Sequence, residues 1–381
     1  MLGSRRVLTT CAAAVVTALC AWGVMASPAS ASGKVTVVAS GLDNPRGLAI
    51  EPGGGLYVGE AGHGGSECIP PSAPGGTPTC VGFTSGISEI NASGVVHRVV
   101  SGLFSMAGPD GSGATGVDGI SLLGDGTVFA IETGASDFIP DGPNPFVSPE
   151  TVVKARAQAG RLIETHPRTG AWSILADVGH FDFQWSGMHK DLVPGQFPDA
   201  NPYAVFATPG VKWVIDAASN TLDEVWPNET VSIVAFFPNP PVPDAVPTCI
   251  DRGADGAFYV GELTGAGNGP GASVVWRVEP GHDPVVWATG LTAVTGCGFG
   301  SNGQFYATEF STLGLVNAAP NTGAVVRVPP HSTSPVVVAS ELSFPGGFAA
   351  GPNDAIYVSN WSVAPAFTGG GPTGQVVRIT P

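Results

Sequence analysis

Five carboxylates recur at equivalent positions of a repeated sequence motif. Each one ends a short apolar run of the type apolar-Tyr/Phe-Val. They are Glu60, Glu132, Asp216, Glu262 and Glu309, and Asn360 takes the sixth place. If the repeats surround an axis, the acids form a ring, in which two carboxylates ~8 Å apart repel by about 2 kcal/mol at an effective dielectric of ~20. A bound Ca²⁺ or Mg²⁺ would relieve that repulsion, since both prefer oxygen ligands. Alternatively, each acid accepts hydrogen bonds from turn N–H groups of its own repeat.

A second set of equivalent positions, at the start of the preceding strand, breaks the repetition. These positions hold Arg46, Asp118, Tyr203, Thr248, Thr295 and Gly346. Because a specific site usually departs from symmetry, Arg46, Asp118 and Tyr203 are the ligand-binding candidates. Arg46 and Asp118 fall in adjacent repeats, where they would either grip a polar ligand or pair with each other.

Catalytic signatures are absent from the sequence, which contains neither G-x-S-x-G nor H-E-x-x-H. The aromatic-rich insertion around residues 180–189 would be either a ligand wall or a loop packed over the ring. We therefore predict no catalytic residues.

The phrase that carries these residues occurs six times and builds an all-β fold. Each copy has a first strand, a Gly/Asp/Asn turn, the acid-terminated second strand, and a third strand carrying Glu or Arg. The second strands are predicted at 56–60, 128–132, 212–216, 258–262, 305–309 and 356–360. A fourth strand follows in most copies. Six four-stranded units with a period of about 50 residues indicate a six-bladed β-propeller.

The chain ends support closure of the ring. The sixth unit stops after its third strand, whereas residues 34–42 (KVTVVASGL) form an orphan strand that resembles the fourth strand of unit five. We expect this N-terminal strand to complete the last blade, which removes exposed edges. Long insertions at 61–85, 134–159, 179–200 and 264–273 fall on one face, and Ser148-Pro149 predicts a helix over 149–158.

Residues 1–31 read as a secretory signal peptide, with Arg5-Arg6, an apolar stretch and Ala29-Ser30-Ala31 as the cleavage signal. The expected domains are this peptide and one propeller over 32–381, secreted to the exterior. Cleavage removes two arginines and no acid, so the net charge of −15 becomes −17. This charge argues against nucleic acid and anionic lipid as partners. We expect a monomer that binds a small molecule or a protein.

Four cysteines remain after cleavage: Cys68, Cys80, Cys249 and Cys297. An even number in an exported protein favours disulfides over zinc, because no C-x-x-C knuckle occurs. Cys68 and Cys80 share one Pro/Gly-rich loop and should pair. Cys249 and Cys297 lie on innermost strands of adjacent blades, one residue out of step, so they should face the same gap and pair.

Residues 199–268, with DANPYAVFATPG, WVIDAASNTLDEV and AFYVGELTG, resemble the secreted ScyD/ScyE family of the TolB/NHL-like superfamily. The resemblance extends over roughly 35–381 and implies a six-bladed propeller, but no defined activity. The opening VVASGLDNPRGLAIEPGGGLYVGEAG also resembles that of quinone-dependent sugar dehydrogenases. The alternative to a binding scaffold is therefore such a dehydrogenase or a metal-dependent, lactonase-like hydrolase.

Overall fold

Six four-stranded antiparallel sheets follow one another along the chain, as the blades of a β-propeller. The computed structural model describes residues 33–71, 75–239, 241–242, 244–265, 268–363 and 365–381. The signal peptide predicted for residues 1–31 lies outside the described residues. No helix in the described part of the chain combines the length and apolar character that crossing a bilayer requires.

In blades 1 to 5 the strands run outward from the axis in chain order. Blade 1 contains β2 (Pro45–Ile50), β3 (Leu56–Glu60), β5 (Thr79–Ile90) and β6 (Val96–Ala107), with β4 (Glu67–Ile69) beside β5. Blade 2 contains β7 (Val117–Leu122), β8 (Val128–Glu132), β9 (Arg161–His166) and β10 (Ala171–Asp177). Blade 3 contains β11 (Pro202–Ala207), β12 (Lys212–Asp216), β13 (Thr221–Val225) and β14 (Val231–Phe236).

Blades 4 and 5 repeat this strand order, and in blade 6 the N-terminal strand β1 takes the outermost place. Blade 4 contains β15 (Pro247–Arg252), β16 (Phe258–Glu262), β17 (Ser273–Val278) and β18 (Val285–Leu291). Blade 5 contains β19 (Val294–Phe299), β20 (Phe305–Glu309), β21 (Gly323–Val328) and β22 (Val336–Leu342). Blade 6 contains β23 (Phe348–Ala350), β24 (Ile356–Asn360), β25 (Gly374–Thr380) and β1 (Lys34–Leu42). All six second strands coincide with the predicted bounds.

The predicted closure of the ring is confirmed. Strand β1 pairs antiparallel with β25, so the N-terminal strand supplies the outer edge of blade 6. Both disulfides are also present. Cys68 faces Cys80 across β4 and β5, and Cys249 joins Cys297 between the innermost strands of blades 4 and 5, with Cα atoms 5.6 Å apart. Two disulfides are typical of proteins that function outside the reducing cytoplasm.

The insertions form two helices on the face where second strands end, which we call the upper face. Helix α1 (Pro149–Gln158) begins as predicted, and its N-cap Ser148 accepts a hydrogen bond from the Thr151 N–H. Helix α2 (Val178–Met188) was not predicted, because its segment was interpreted as a loop. Asp177 accepts the His180 N–H, which is the N-cap signal that the aromatic composition obscured.

The hydrophobic core lies between adjacent blades, and glycines let the innermost strands approach closely at the axis. A Cβ on Gly47 would lie 2.5 Å from the Asp118 carbonyl oxygen, and one on Gly347 would lie 2.5 Å from the Arg46 carbonyl oxygen. The small residues at the start of these strands therefore determine how narrow the channel can be.

We predict that Gly47→Ala destabilises the protein by about 1–3 kcal/mol, because the added methyl group overlaps backbone atoms that cannot move independently. Gly53→Ala is the matched control, since a Cβ there would meet nothing within 4 Å. Thermal unfolding of both variants checks this. Equal melting temperatures would contradict the close packing of blades 1 and 2.

Candidate functional site

A cavity of about 80 Å³ with both polar and apolar lining residues opens at the upper end of the propeller axis, and we call it the upper chamber. Its walls are the first residues of the innermost strands. The side chains of Arg46, Asp118, Tyr203, Thr248 and Thr295, five of the six asymmetric positions, line it together. The fold therefore brings these asymmetric positions to one place, and their role in binding a ligand stays a prediction.

Arg46 and Asp118 form a buried ion pair, with Arg46 Nε 2.9 Å from Asp118 Oδ1. Neither of these two atoms has a well-directed hydrogen bond, so the attraction between them is mainly electrostatic. Arg46 Nη2 also donates to the Ala114 carbonyl at 2.6 Å. Burial raises the pKa of Asp118 to about 6, although Arg46 opposes this shift.

Two other members of the wall already use their hydroxyl groups. Thr248 Oγ1 donates to the Val294 carbonyl at 2.6 Å, and Thr295 Oγ1 donates to the Pro345 carbonyl at 2.9 Å. Both hydrogen bonds connect one blade to the next. In contrast, the Tyr203 hydroxyl lies near Asp118 and Arg46 but makes no hydrogen bond to the described residues. Tyr203 therefore presents to the chamber a hydroxyl group that is available to a ligand.

The recurring acids lie at the ends of the second strands, as predicted, and most of them bind their own blade. In four blades the side chain accepts an N–H from the turn before the first strand. The pairs are Glu60 with Asp43, Asp216 with Asn201, Glu309 with Thr292, and Asn360 with Ser343. These contacts are the structural role that the sequence left open.

Glu132 is the exception, because both of its oxygens are buried without a partner among the described residues. The corresponding turn N–H, that of Thr115, donates instead to Met106 at the end of the long strand β6. Burial and then the nearby Asp118 raise the pKa of Glu132 well above its usual value. Both effects favour the neutral form of Glu132, which lies close to Asp118 of the ion pair.

A group of buried acids that the sequence analysis missed surrounds Asp216. Asp182 on α2 and Asp223 on β13 are fully buried, and the Asp182 side chain meets both of the other carboxyl groups. Burial raises the pKa values of Asp182 and Asp223 well above the usual range. The sequence offered no signal for this contact, because Asp182 lies in an insertion outside the repeat.

The insertion around residues 180–189 packs over blade 3 and does not form a loop wall beside the axis. Trp185 of α2 contacts Phe236 and Phe197, with ring centroids 6.0 and 6.4 Å apart, and stacks on His189.

On the same face, His63 Nδ1 lies 2.5 Å from Asp43 Oδ2, and just over half of the imidazole is exposed.

No family model matches the sequence, and no curated protein sequence matches it. Solved structures do match. A putative glucose dehydrogenase of Thermus thermophilus is 13% identical over 91% of this chain and 100% of its own, with a TM-score of 0.54. The PQQ-bound aldose sugar dehydrogenase of Streptomyces coelicolor is 15% identical over 93% and 100%, with a TM-score of 0.51. A gluconolactonase of Xanthomonas campestris is 9% identical over 91% and 90%, with a TM-score of 0.52.

The likeness establishes the fold. The solved structures that resemble this chain are six-bladed propellers of the gluconolactonase and sugar dehydrogenase types. At these sequence identities their activities cannot be assigned to this chain. Membership of the ScyD/ScyE family is not shown by these matches.

The side chains present do not fit the groups that either enzyme type would need. A quinone site would need a histidine beside Arg46, and none of the described residues that line the upper chamber is one. A lactonase metal would need several convergent acids. Within the described ranges, no group of three or more His, Cys, Asp or Glu side chains is arranged to hold a metal ion.

Proposed function

We propose that this protein is a secreted propeller of the ScyD/ScyE type that binds a small, neutral, polyhydroxylated molecule at the upper chamber. The Tyr203 hydroxyl carries the proposal, because it makes no hydrogen bond to the described residues. The hydroxyl groups of the neighbouring threonines, in contrast, already donate to backbone carbonyls of the next blade. The resemblance of residues 199–268 to that family and the two disulfides support the class of protein and its location.

The charge of the chamber supports a neutral ligand. Asp118 balances Arg46 within the wall, and the whole chain carries a net charge of −15. An anion would have to displace Asp118 from Arg46 and approach an acidic protein, whereas hydroxyl groups both donate and accept hydrogen bonds. A cavity of about 80 Å³ admits one end of such a molecule, and the remainder lies at the upper face.

Tyr203→Phe should weaken binding about fivefold, which corresponds to one lost hydrogen bond of about 1 kcal/mol. The probes are D-glucose, D-xylose and myo-inositol, titrated by ligand-observed NMR, with D-gluconate as the anionic counterpart. Tyr57→Phe is the matched control, because its hydroxyl bonds to Glu51 and lies outside the chamber. Absence of saturable binding by all three neutral probes, or equal affinities in the two variants, would refute the proposal.

Binding of Ca²⁺ or Mg²⁺ by the recurring acids stays a prediction, and the same titrations with and without a chelator examine it. If chelator changed neither the melting temperature nor the probe affinity, these acids would have a structural role alone.

Lactone hydrolysis and quinone-dependent sugar oxidation remain the alternative activities. Both are measured on the same protein with added metal or quinone.

A further inference from the structure

The axis holds a second and larger cavity at its other end, which we call the lower chamber. Its volume is about 290 Å³. The two chambers share a waist of mainly apolar side chains, formed by Leu48, Ile120, Val205, Ile250, Cys297 and Phe348. Below the waist the lining side chains are mostly apolar and include Phe206 and Phe348, while backbone groups contribute polar surface between them. The lower chamber differs from the upper one in its charged side chains, because Asp251 stands alone there, whereas Arg46 and Asp118 face each other in the upper chamber.

The mouth of the lower chamber is surrounded by the turns that join first to second strands. These turns are short, with about five residues between the paired strands, for example between β2 and β3 or between β15 and β16. All the long insertions lie at the opposite face. A ligand could thus enter the lower chamber without displacing any covering element among the described residues. A preformed concavity that combines apolar and aromatic side chains with a few placed polar groups is the usual form of a small-molecule site.

One carboxylate lies in this apolar wall. Asp251 Oδ2 accepts the Phe299 N–H at 2.7 Å, and Oδ1 accepts the Arg252 N–H at 2.7 Å. Each oxygen retains a further lone pair. No cationic side chain pairs with Asp251 among the described residues, because the adjacent Arg252 donates its Nε–H to the Gly256 carbonyl. Burial also raises the pKa of Asp251, which shows that its charge is poorly solvated.

The rim adds charge of the same sign. Three of the turns at this mouth carry exposed acids: Asp125, Asp255 and Asp354. Asp255 is balanced by Arg277, with an N–O distance of 2.7 Å, but Asp125 and Asp354 form no ion pair within the described ranges. Arg252 adds one exposed positive charge at the same mouth, but the acids outnumber it, and the whole chain carries a net charge of −15, which favours cations over anions.

We propose that the lower chamber binds an organic cation with an apolar body, specifically a primary amine carrying an aromatic or branched aliphatic group. The ammonium group donates to Asp251, and the apolar body packs against Phe348 and Phe206 at the wall. Such a ligand pairs with the one charged side chain that lines the chamber and packs against its apolar side chains. An anion would meet Asp251, and a purely apolar molecule would leave that carboxylate without a counter-ion.

The test is a titration of the full chain with 2-phenylethylamine, 2-phenylethanol and phenylacetate, followed by calorimetry and protein NMR. We expect saturable binding of the amine, at least tenfold weaker binding of the alcohol, and none of the acid. Asp251→Asn keeps an acceptor for the Phe299 N–H and should weaken amine binding at least tenfold. Asp110→Asn, which removes an exposed acid at the opposite, upper face, is the matched control and should change it less than twofold.

A second variant keeps the test decisive if Asp251→Asn does not fold. Ala350→Leu narrows the wall at the mouth and should weaken the amine without changing any charge. The proposal fails if the amine binds no tighter than the alcohol, or if the folded chamber variants retain wild-type affinity. It also fails if Tyr203→Phe weakens the amine instead, because the ligand would then occupy the upper chamber.

Discussion

Replacing Glu262 by glutamine should make the protein more stable than the wild type at pH 9 and nearly equal to it at pH 5. Glu262 is fully buried at the end of β16, where the Trp276 indole N–H donates to Oε1 and Oε2 has no partner among the described residues. Burial raises the pKa of Glu262 from 4.5 to about 8. The neutral acid is therefore the form that suits the fold.

The sign of the pH dependence follows from proton linkage. Below pH 4.5 both the folded and the unfolded states hold the proton, and no stability is lost. Between pH 4.5 and 8 the unfolded state releases it while the folded state keeps it, so the free energy of unfolding falls as pH rises. Above pH 8 the full cost is present, up to about 5 kcal/mol at ~1.4 kcal/mol per pKa unit. Glutamine cannot ionise and avoids this cost.

Denaturant unfolding at pH 5, 7 and 9 measures the effect. Glu309→Gln should show the same trend over a narrower range, because the pKa of Glu309 is about 7. Glu341→Gln is the control, since Glu341 is exposed and should leave the pH dependence unchanged. If wild type and Glu262→Gln lost stability equally between pH 5 and 9, Glu262 would have to be ionised in the fold at neutral pH.

Removing the disulfide between blades 4 and 5, in the double variant Cys249→Ala/Cys297→Ala, should cost about 4 kcal/mol of unfolding free energy. The bond closes a sequence separation of 48 residues, and the entropy that a cross-link removes from the unfolded chain grows with that separation. The cysteines also line the chambers at the axis, so their loss affects packing there.

Cys68→Ala/Cys80→Ala is the matched control. Its separation of 12 residues predicts a smaller cost of about 3 kcal/mol. That bond also lies in an insertion away from the axis, so its loss should loosen mainly the region around β4. Denaturant titrations of both variants and of the wild type with and without reductant make the comparison. A Cys249/Cys297 variant as stable as the wild type would show that blade packing alone holds the ring.

The sequence determined the features that depend on short-range pattern. Each second strand is a five-residue apolar run between a Gly/Asp/Asn turn and a carboxylate or amide, and all six appear with the predicted bounds. The pairing of β1 with β25 followed from an orphan strand at one terminus and a three-stranded unit at the other. The Cys249–Cys297 bond followed from a one-residue offset, because alternate side chains of a strand face opposite neighbours.

Only the tertiary structure decided what the polar side chains do. Glu60 and Glu132 hold equivalent places in the repeat, yet Glu60 accepts a turn N–H and Glu132 finds no partner among the described residues, because the long β6 takes the corresponding N–H. Thr248 and Thr295 line the chamber but bind carbonyls of the next blade. Nothing in the sequence distinguishes Asp251, and the convergence of six strands makes it the one charged side chain that lines the lower chamber. A repeat specifies contacts within a blade, whereas these roles depend on which groups of neighbouring blades and insertions meet around the axis.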